Sequence, residues 1–417
     1  MNRIGRAVHR TFHAVSHSRN FRLFFFGQIV SVTGTWVQYV ASAWLVLRLT
    51  GSGVALGLMS ALNFAPVLVL GAWAGVLADR HDKRRILLGT QMAFAILALT
   101  LWGLVAADVV RLWMVYALSL LQGIVTAVDT PARQSFFAEM VGPEHLTNAV
   151  SLNSAVMTGT RIVGPAIAGG LIAGVGLDAC FLVNGVSYLA VIGGLLAMRS
   201  EELHRAPVPR DGGGLRAGLR YVWETPELRT PLIVMAAIFT FSFNFQVVLP
   251  LLASETFHGE AGTFSSLLAL MGVGSLAGAL AMARGTQPNA ARLMRSAVAL
   301  GAASVVAAAM PTLPTALAAM VALGFVGIVF MITGNTTLQL TARPEMRGRV
   351  MALYSVVFLG GTPIGAPIAG WSAEVLGPRW GLALGGIAAT AVGLLGLWAL
   401  RRRGVVGAPE PAPARAA

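Results

Sequence analysis

The chain has few charged residues and one cysteine. Only 11% of its 417 residues are Asp, Glu, Lys or Arg, whereas soluble proteins carry about 25%. Cys180 is the single cysteine, which excludes an internal disulfide and a thiolate metal site. Hydrophobic residues make up 56% of the chain, so there is too little polar surface to cover a soluble protein of this size. These scarcities indicate an integral membrane protein.

Apolar stretches long enough to cross a bilayer recur along the chain, since each crossing needs about 20 residues. Six precede a polar stretch and six follow it, which predicts an all-α integral membrane protein with about twelve transmembrane helices in two pseudo-symmetric six-helix bundles. We number the predicted spans 1 to 12, and they lie approximately at 22–47, 55–78, 86–106, 112–131, 149–175, 178–198, 231–253, 264–284, 293–310, 315–340, 350–376 and 380–400.

The polar stretch divides the chain into two halves. We expect residues 1–198 to form the first bundle, 230–403 the second, and 199–229 a cytoplasmic linker. The linker places Leu215, Leu219 and Val222 at helical spacing beside Arg216 and Arg220. This pattern predicts either an amphipathic helix on the membrane surface or a plain connection. Residues 404–417 are rich in Pro and Ala, and we expect them to be disordered.

Basic residues are distributed unequally between the two sides of the predicted bundles. Of the 30 Lys and Arg residues, 26 fall on the side of the termini, 3 fall on the other side, and Arg161 lies within span 5. By the positive-inside rule, both termini are cytoplasmic and the multi-pass protein lies in the plasma membrane, the inner membrane of a bacterium. The net charge of +13 therefore orients the helices and does not predict nucleic-acid binding.

An internal repeat relates the two halves. Residues 164–169 of span 5 read GPAIAG, and residues 365–370 of span 11 read GAPIAG, 201 residues later. Parallel six-span repeats place a substrate site between the halves near the membrane midplane, and rocking opens that site to each side in turn. The repeat therefore favours a transporter.

A short loop after span 2 carries a dense pattern of charge. Residues 75–85 read GVLADRHDKRR and resemble the G-x-L-x-D-R-x-G-R-R/K signature loop of the major facilitator superfamily, with Asp82 in place of the second glycine. The resemblance implies a gating role for Gly75, Asp79, Arg80, Lys83 and Arg84. Asp79 can accept hydrogen bonds from a facing helix or arginine, and we expect Arg133 to be its partner when the cytoplasmic side is closed.

Span 5 carries a second pattern of that superfamily. Residues 161–170 read RIVGPAIAGG and resemble the antiporter motif G-x-x-x-G-P-x-x-G-G. The resemblance implies a bent, closely packed helix at Gly164, Pro165 and Gly169.

Segments along almost the whole chain resemble the enterobactin-exporter-like, or transmembrane secretion effector, branch of the superfamily. They are FRLFFFGQ at 21–28, LTGS at 49–52, DTPARQ at 129–134 and RGRVM at 347–351. Ser119 stands where the drug-exporter motif R-x-x-Q-G of span 4 has its arginine. The resemblance implies export of siderophores, macrolides or other amphipathic compounds, driven by the proton gradient.

Charges inside spans are functional candidates because an unpaired charge in the bilayer is costly. Asp129 is a carboxylate predicted inside span 4, and Arg133 lies one helical turn further on. Asp129 either binds the coupling proton or forms a permanent salt bridge with Arg133. Arg161 lies near the middle of span 5 and should face the cavity, or pair with an acid, a carbonyl or an anionic substrate group.

One face of span 1, together with its repeat mate span 7, carries polar side chains typical of helices that line a wet cavity. Trp36 either stacks on a flat ring of the substrate or packs within the protein. The predicted substrate-binding residues are Gln28, Thr35, Trp36, Gln38, Asn244 and Gln246.

Groups needed for catalysis are missing from the predicted membrane interior. All seven histidines fall in predicted tails or loops, and no G-x-x-x-x-G-K-[ST] loop occurs, so we expect neither an enzyme nor a metal or organic cofactor. We predict a monomeric secondary active transporter, embedded in the lipid bilayer, that exports small amphipathic molecules by alternating access using the proton gradient. Uptake by proton symport is an alternative, and a receptor or scaffold is a weaker one.

Overall fold

The computed structural model describes residues 13–204, 215–283 and 288–402, so the predicted disordered tail lies outside the described residues. Within those ranges the chain is helical and has no strand. Twelve helices are long and apolar enough to cross a membrane, which confirms the predicted fold class. Spans 1 to 12 are Arg19–Thr50, Gly53–Arg80, Lys83–Ala106, Leu112–Gly142, Glu144–Gly174, Leu177–Leu196, Pro226–Thr256, Ala261–Met282, Ala290–Ala309, Leu313–Thr341, Arg347–Leu376 and Pro378–Arg402.

Span 4 is longer than its apolar run predicts. The run ends near 131, yet the helix continues to Gly142, whose positive φ of 70° separates it from span 5. Glycine adopts such an angle without steric cost. The added turns hold Arg133 and Glu139, which pair with Asp129 and Lys83. Because Arg133 and Glu139 are both paired, the helix can include them and continue to Gly142.

The linker contains the helix predicted from its pattern, at Leu215–Glu224. Tyr221 accepts a hydrogen bond from the Arg343 backbone N–H at 3.2 Å, and Val222 is buried, so the helix lies against the second half. Span 7 then begins at Pro226 rather than at 231. Proline fits the first turn of a helix because the backbone N–H that it lacks has no partner there.

The helix ends define two ends of the molecule. The end that we call the basic end holds the described connecting residues 81–82, 142–143, 197–204, 225, 283, 288–289 and 342–346. The opposite end holds 51–52, 107–111, 175–176, 257–260, 310–312 and 377. Span 1 packs on span 6 and span 2 on span 4 in the first half, while span 8 packs on span 10 and span 9 on span 12 in the second. The halves meet where span 2 packs on span 11 and span 5 packs on span 8.

Small residues form this seam between the halves. A Cβ atom at Gly53 would lie 2.5 Å from the Gly370 carbonyl oxygen, and one at Gly57 would lie 2.5 Å from the Ala366 carbonyl oxygen. Glycine is required at both positions because the backbones of spans 2 and 11 approach each other directly. The seam is therefore tightest at the opposite end of the molecule.

Contacts between the halves fall away toward the basic end. A Cβ atom at Gly75 of span 2, or at Gly159 of span 5, would meet no described atom within 4 Å. Gly75, to which the resemblance assigns a gating role, thus has no close neighbour at its Cβ position among the described residues. Glycine contacts between spans 2 and 11 thus extend from the opposite end to Gly360, which faces Leu68, and none is described at Gly75.

Candidate functional site

A buried ion pair lies between spans 3 and 4. Asp129 Oδ1 accepts hydrogen bonds from Thr90 Oγ1 at 2.7 Å and from Gln91 Nε2 at 2.9 Å. Its Oδ2 accepts from Arg133 Nε at 2.8 Å and lies 2.6 Å from Arg133 Nη2. The side chain of Arg133 also packs on Phe24, with 5.9 Å between the guanidinium carbon and the ring centroid. The pair exists in this conformation, and a proton-binding role of Asp129 stays a prediction.

The acid of the signature loop lies apart from this ion pair. Asp79 and Arg80 are exposed, and no described residue forms a hydrogen bond or an ion pair with Asp79. Arg133, its expected partner, is bound to Asp129. The expected Asp79–Arg133 contact is therefore not formed in this conformation, and its formation in a closed state stays a prediction.

The rest of the signature loop ties helices of the first half together. Lys83 Nζ lies 2.7 Å from Glu139 Oε1, and Arg84 Nε donates to the Leu195 carbonyl oxygen at 2.8 Å. Asp82 accepts a hydrogen bond from the Arg85 backbone N–H at 3.2 Å. Asp82 thus caps span 3, which explains an acid where the superfamily usually has glycine.

Two of the predicted substrate-binding residues face the interior of the first half. Gln38 Oε1 accepts a hydrogen bond from Asn184 Nδ2 at 2.7 Å, and Gln38 Nε2 donates to Gln122 Oε1 at 3.3 Å. The Thr35 hydroxyl lies 3.3 Å from the Tyr188 hydroxyl. The polar stripe of span 1 therefore faces spans 4 and 6 at Thr35 and Gln38, and contact of these residues with a substrate stays a prediction.

Trp36 and Gln246 instead lie where the two halves meet. The guanidinium carbon of Arg161 lies 5.5 Å from the Trp36 ring centroid, and the Trp36 and Tyr39 rings pack edge to face at 5.2 Å. Tyr39 donates a hydrogen bond to Gln246 Oε1 at 2.5 Å, which joins span 1 to span 7. A cation, two rings and an amide therefore form one cluster across the seam.

The antiporter motif serves close packing in this structure. A Cβ atom at Gly164 would overlap the Trp36 side chain, and one at Gly169 would lie 3.0 Å from Ser265 Cβ of span 8. Gly164 and Pro165 keep helical dihedral angles, since Gly142 is the residue with non-helical angles between Leu112 and Gly174. The motif thus brings span 5 close to spans 1 and 8 without a break in the helix.

Gln28 and Asn244 are buried, with 2% and 3% of their surface exposed. Neither amide atom of the Gln28 side chain has a described hydrogen-bond partner. Asn244 Nδ2 donates to the Thr240 carbonyl oxygen at 2.6 Å, whereas its Oδ1 has no described donor. Asn244 also ends an interruption at 242–244 between two helical parts of span 7, Pro226–Phe241 and Phe245–Leu251, which hydropathy does not reveal.

Glu374 has no counterpart among the residues predicted from the sequence. Its carboxylate, near the end of span 11, accepts hydrogen bonds from Ser52 Oγ at 2.6 Å and from the Val54 backbone N–H at 3.0 Å. It therefore caps the start of span 2 from the other half of the molecule. The available signal was an acid in the last turn of an otherwise apolar span.

Comparison with known proteins identifies the family. The sequence profile of the transmembrane secretion effectors matches residues 11–404. The chain belongs to this family.

Three curated relatives are transporters by name. The staphyloferrin A transporter of Staphylococcus aureus is 26% identical over 265 residues, which cover 63% of this chain and 66% of that protein. The multidrug efflux pump Tap of Mycolicibacterium fortuitum is 28% identical over 85% of this chain and 89% of its own length. Macrolide efflux protein A of Streptococcus pyogenes is 28% identical over 43% of each chain.

Solved structures share the fold of this transmembrane secretion effector. A bacterial homolog of the human lysosomal transporter Spinster, in an inward-facing and unoccupied conformation, superposes with a TM-score of 0.73 at 15% identity over 93% of this chain and 98% of that one. The nucleoside transporter NupG gives 0.71 at 12% identity over 91% and 98%. Relatives and structural neighbours are transporters and not enzymes. The protein is a multi-pass membrane transporter of the major facilitator type, consistent with the bacterial inner membrane.

Proposed function

We propose that this protein is a secondary active exporter of small amphipathic molecules that works by alternating access and uses the proton gradient. The observation that carries the proposal is the asymmetry of the seam. Glu374 binds span 2 at the opposite end, while Asp79 at the basic end has no described partner. A carrier closed at one end and separated at the other is one of the two states that alternating access needs.

Charge and the relatives both support the proposed direction of transport. The concentration of Lys and Arg at the basic end favours a cytoplasmic location for that end. The separated side of the molecule then faces the cytoplasm, from which an exporter takes its solute. Efflux is also the activity in the names of two relatives, a multidrug efflux pump and a macrolide efflux protein.

The proposed coupling group is the buried ion pair. Protonation of Asp129 neutralises the carboxylate and removes the only described counter-charge of Arg133. An unpaired guanidinium inside a span is unfavourable. Pairing of Arg133 with another carboxylate therefore becomes favourable. Asp79, exposed at the same end of the molecule, is the acceptor that we propose. One proton thereby exchanges one contact within the first half, Asp129–Arg133, for another, Asp79–Arg133, at the basic end.

Transport into inverted membrane vesicles with an acidic lumen tests this proposal. A panel of amphipathic solutes that includes a macrolide is offered outside, and at least one solute should accumulate when the pH gradient is imposed. Asp129→Asn should abolish gradient-driven accumulation but retain exchange of labelled for unlabelled solute, because it removes the titrating group and keeps its shape.

Asp108→Asn is the matched control. Asp108 is exposed at the opposite end with a φ of 54°, a conformation that asparagine also adopts, so transport should be unchanged. Gradient-driven accumulation that persists in Asp129→Asn would contradict the role of Asp129. Accumulation only in right-side-out vesicles with inward proton flow would show uptake instead of export.

A further inference from the structure

Arg161 is the mid-span charge that lacks a counter-charge among the described residues. Asp129 and Arg133 neutralise each other at 2.6 Å, whereas no described acid or carbonyl accepts a hydrogen bond from Arg161. The Trp36 ring covers one face of the guanidinium at 5.5 Å. Stacking satisfies none of the N–H donors, which lie in the plane of the guanidinium.

Arg161 and the Trp36 ring that covers it are each only partly buried. The backbone of span 5 packs closely on the second half at this level, since a Cβ at Gly272 of span 8 would lie 3.1 Å from the Arg161 carbonyl oxygen. The exposed part of Arg161 therefore lies beside the seam, where a solute between the two halves can reach it.

The second half contributes a matching donor. Gln246 Oε1 is occupied by the Tyr39 hydroxyl, but Gln246 Nε2 is buried and has no described acceptor. Tyr39 packs against Trp36, and the Arg161 guanidinium stacks on the Trp36 ring. Unused donors from span 5 and span 7 thus flank the same pair of rings, and no acid of the described residues pairs with either of them.

We propose that Arg161 and Gln246 bind an oxyanion of the transported solute, while Trp36 and Tyr39 hold its apolar ring. This inference rests on the proposed export function and narrows the solutes to amphipathic organic anions, of which aromatic carboxylates are the simplest. The planar guanidinium fork binds both oxygens of a carboxylate at once. A neutral solute of the same shape leaves Arg161 without a counter-charge in the membrane interior, which is unfavourable.

Binding to the purified full-length protein in detergent, with no proton gradient, tests the inference. The probes are naphthalene-2-carboxylate and the neutral naphthalene-2-carboxamide. Equilibrium dialysis measures the affinity of the protein for each of them. The parent protein should bind the carboxylate about tenfold more tightly than the carboxamide. Arg161→Gln should remove this preference, and Arg161→Lys should restore part of it, because lysine keeps the charge but lacks the fork. Arg111→Gln, exposed at the opposite end, is the control and should match the parent.

Equal affinity of the parent for the two probes would overturn the inference, and so would a preference that persists in a folded Arg161→Gln. If Arg161→Gln fails to fold by size-exclusion chromatography, Gln246→Glu provides the test. Its carboxylate beside the same rings should lower naphthalene-2-carboxylate affinity about tenfold and leave carboxamide affinity unchanged; unchanged carboxylate affinity would overturn the inference. The assay needs no transport, so a failure of export in vesicles bears on the proposed function alone.

Discussion

The two halves share a fold but distribute their charges differently. Asp129, Arg133 and Arg161 all lie in the middle of spans of the first half. In spans 7 to 12, by contrast, every charged residue lies in the first or last two turns of its helix. One copy of the repeat therefore holds the ionisable groups at membrane depth, and the other holds none there.

The repeat shows what replaces the ion pair in the second half. Span 10 starts at Leu313 and span 4 at Leu112, which is the same offset of 201 residues as in the glycine motif. That offset places Phe330 at the position of Asp129. Phe330 is fully buried, and its ring lies 6.0 Å from Phe239 between centroids. A repeated fold can therefore keep a buried ion pair in one copy and use apolar packing at the equivalent site of the other.

Breaking the ion pair should give the largest loss of stability. Arg133→Leu leaves Asp129 buried without its counter-charge, so the free energy of unfolding should fall by about 3 to 5 kcal/mol. Asp129→Leu with Arg133→Leu should recover most of that loss, as apolar residues do at Phe330 in the second half. Reversible unfolding in mixed detergent micelles measures both variants. Equal stability of the single and double variants would show that the charges are not coupled.

The same chemical change in each half should have unequal effects. Thr90 donates a hydrogen bond to Asp129, whereas the buried Thr333 hydroxyl of span 10 has no described partner. Thr90→Val should therefore cost about 1.5 to 3 kcal/mol, and Thr333→Val should be nearly neutral or stabilising. Unfolding in the same micelles measures the difference. A larger cost at Thr333 would show that the second half also depends on a buried polar contact.

The smallest expected effect concerns the contact that joins the halves. Glu374→Gln weakens the cap on span 2, and a loss of about 1.4 kcal/mol changes the ratio of the two conformations tenfold. Spin labels on Arg48→Cys and Trp380→Cys, in a Cys180→Ala background, should report longer distances across the opposite end. Asp108→Asn is the control, because this exposed acid of the opposite end makes no described contact between the halves. An unchanged distance distribution in Glu374→Gln would mean that the cap does not hold the seam closed.

The sequence predicts the twelve spans well because apolar length is a direct requirement of the bilayer. It predicts the end of span 4 poorly, since charges that pair across helices allow the span to continue past its apolar run. Helical spacing places Thr35, Trp36 and Gln38 on neighbouring positions but does not say which neighbour each one meets. Only the structure shows that Thr35 contacts span 6 through Tyr188, whereas Trp36 contacts span 5 through Arg161.

Contacts between the halves are the least predictable feature. Glu374 and Ser52 are 322 positions apart, and no local pattern connects an acid in one span with the start of another. Arg161 was recognisable as a buried charge from its position alone. Its lack of a counter-charge was not, because that depends on every helix that packs around it.

The interrupted form of span 7 has a consequence for how the opposite end can move. The helical piece Phe245–Leu251 lies between the non-helical residues 242–244 and a π-helical turn at Leu252–Thr256. It carries Gln246, the contact to span 1, while Ser242 is fixed to span 12 through the Gly385 carbonyl oxygen at 2.6 Å. Such a piece can tilt by dihedral changes in a few residues. A tilt of this piece would change the contact between the halves at Gln246 without rotating either half as a unit.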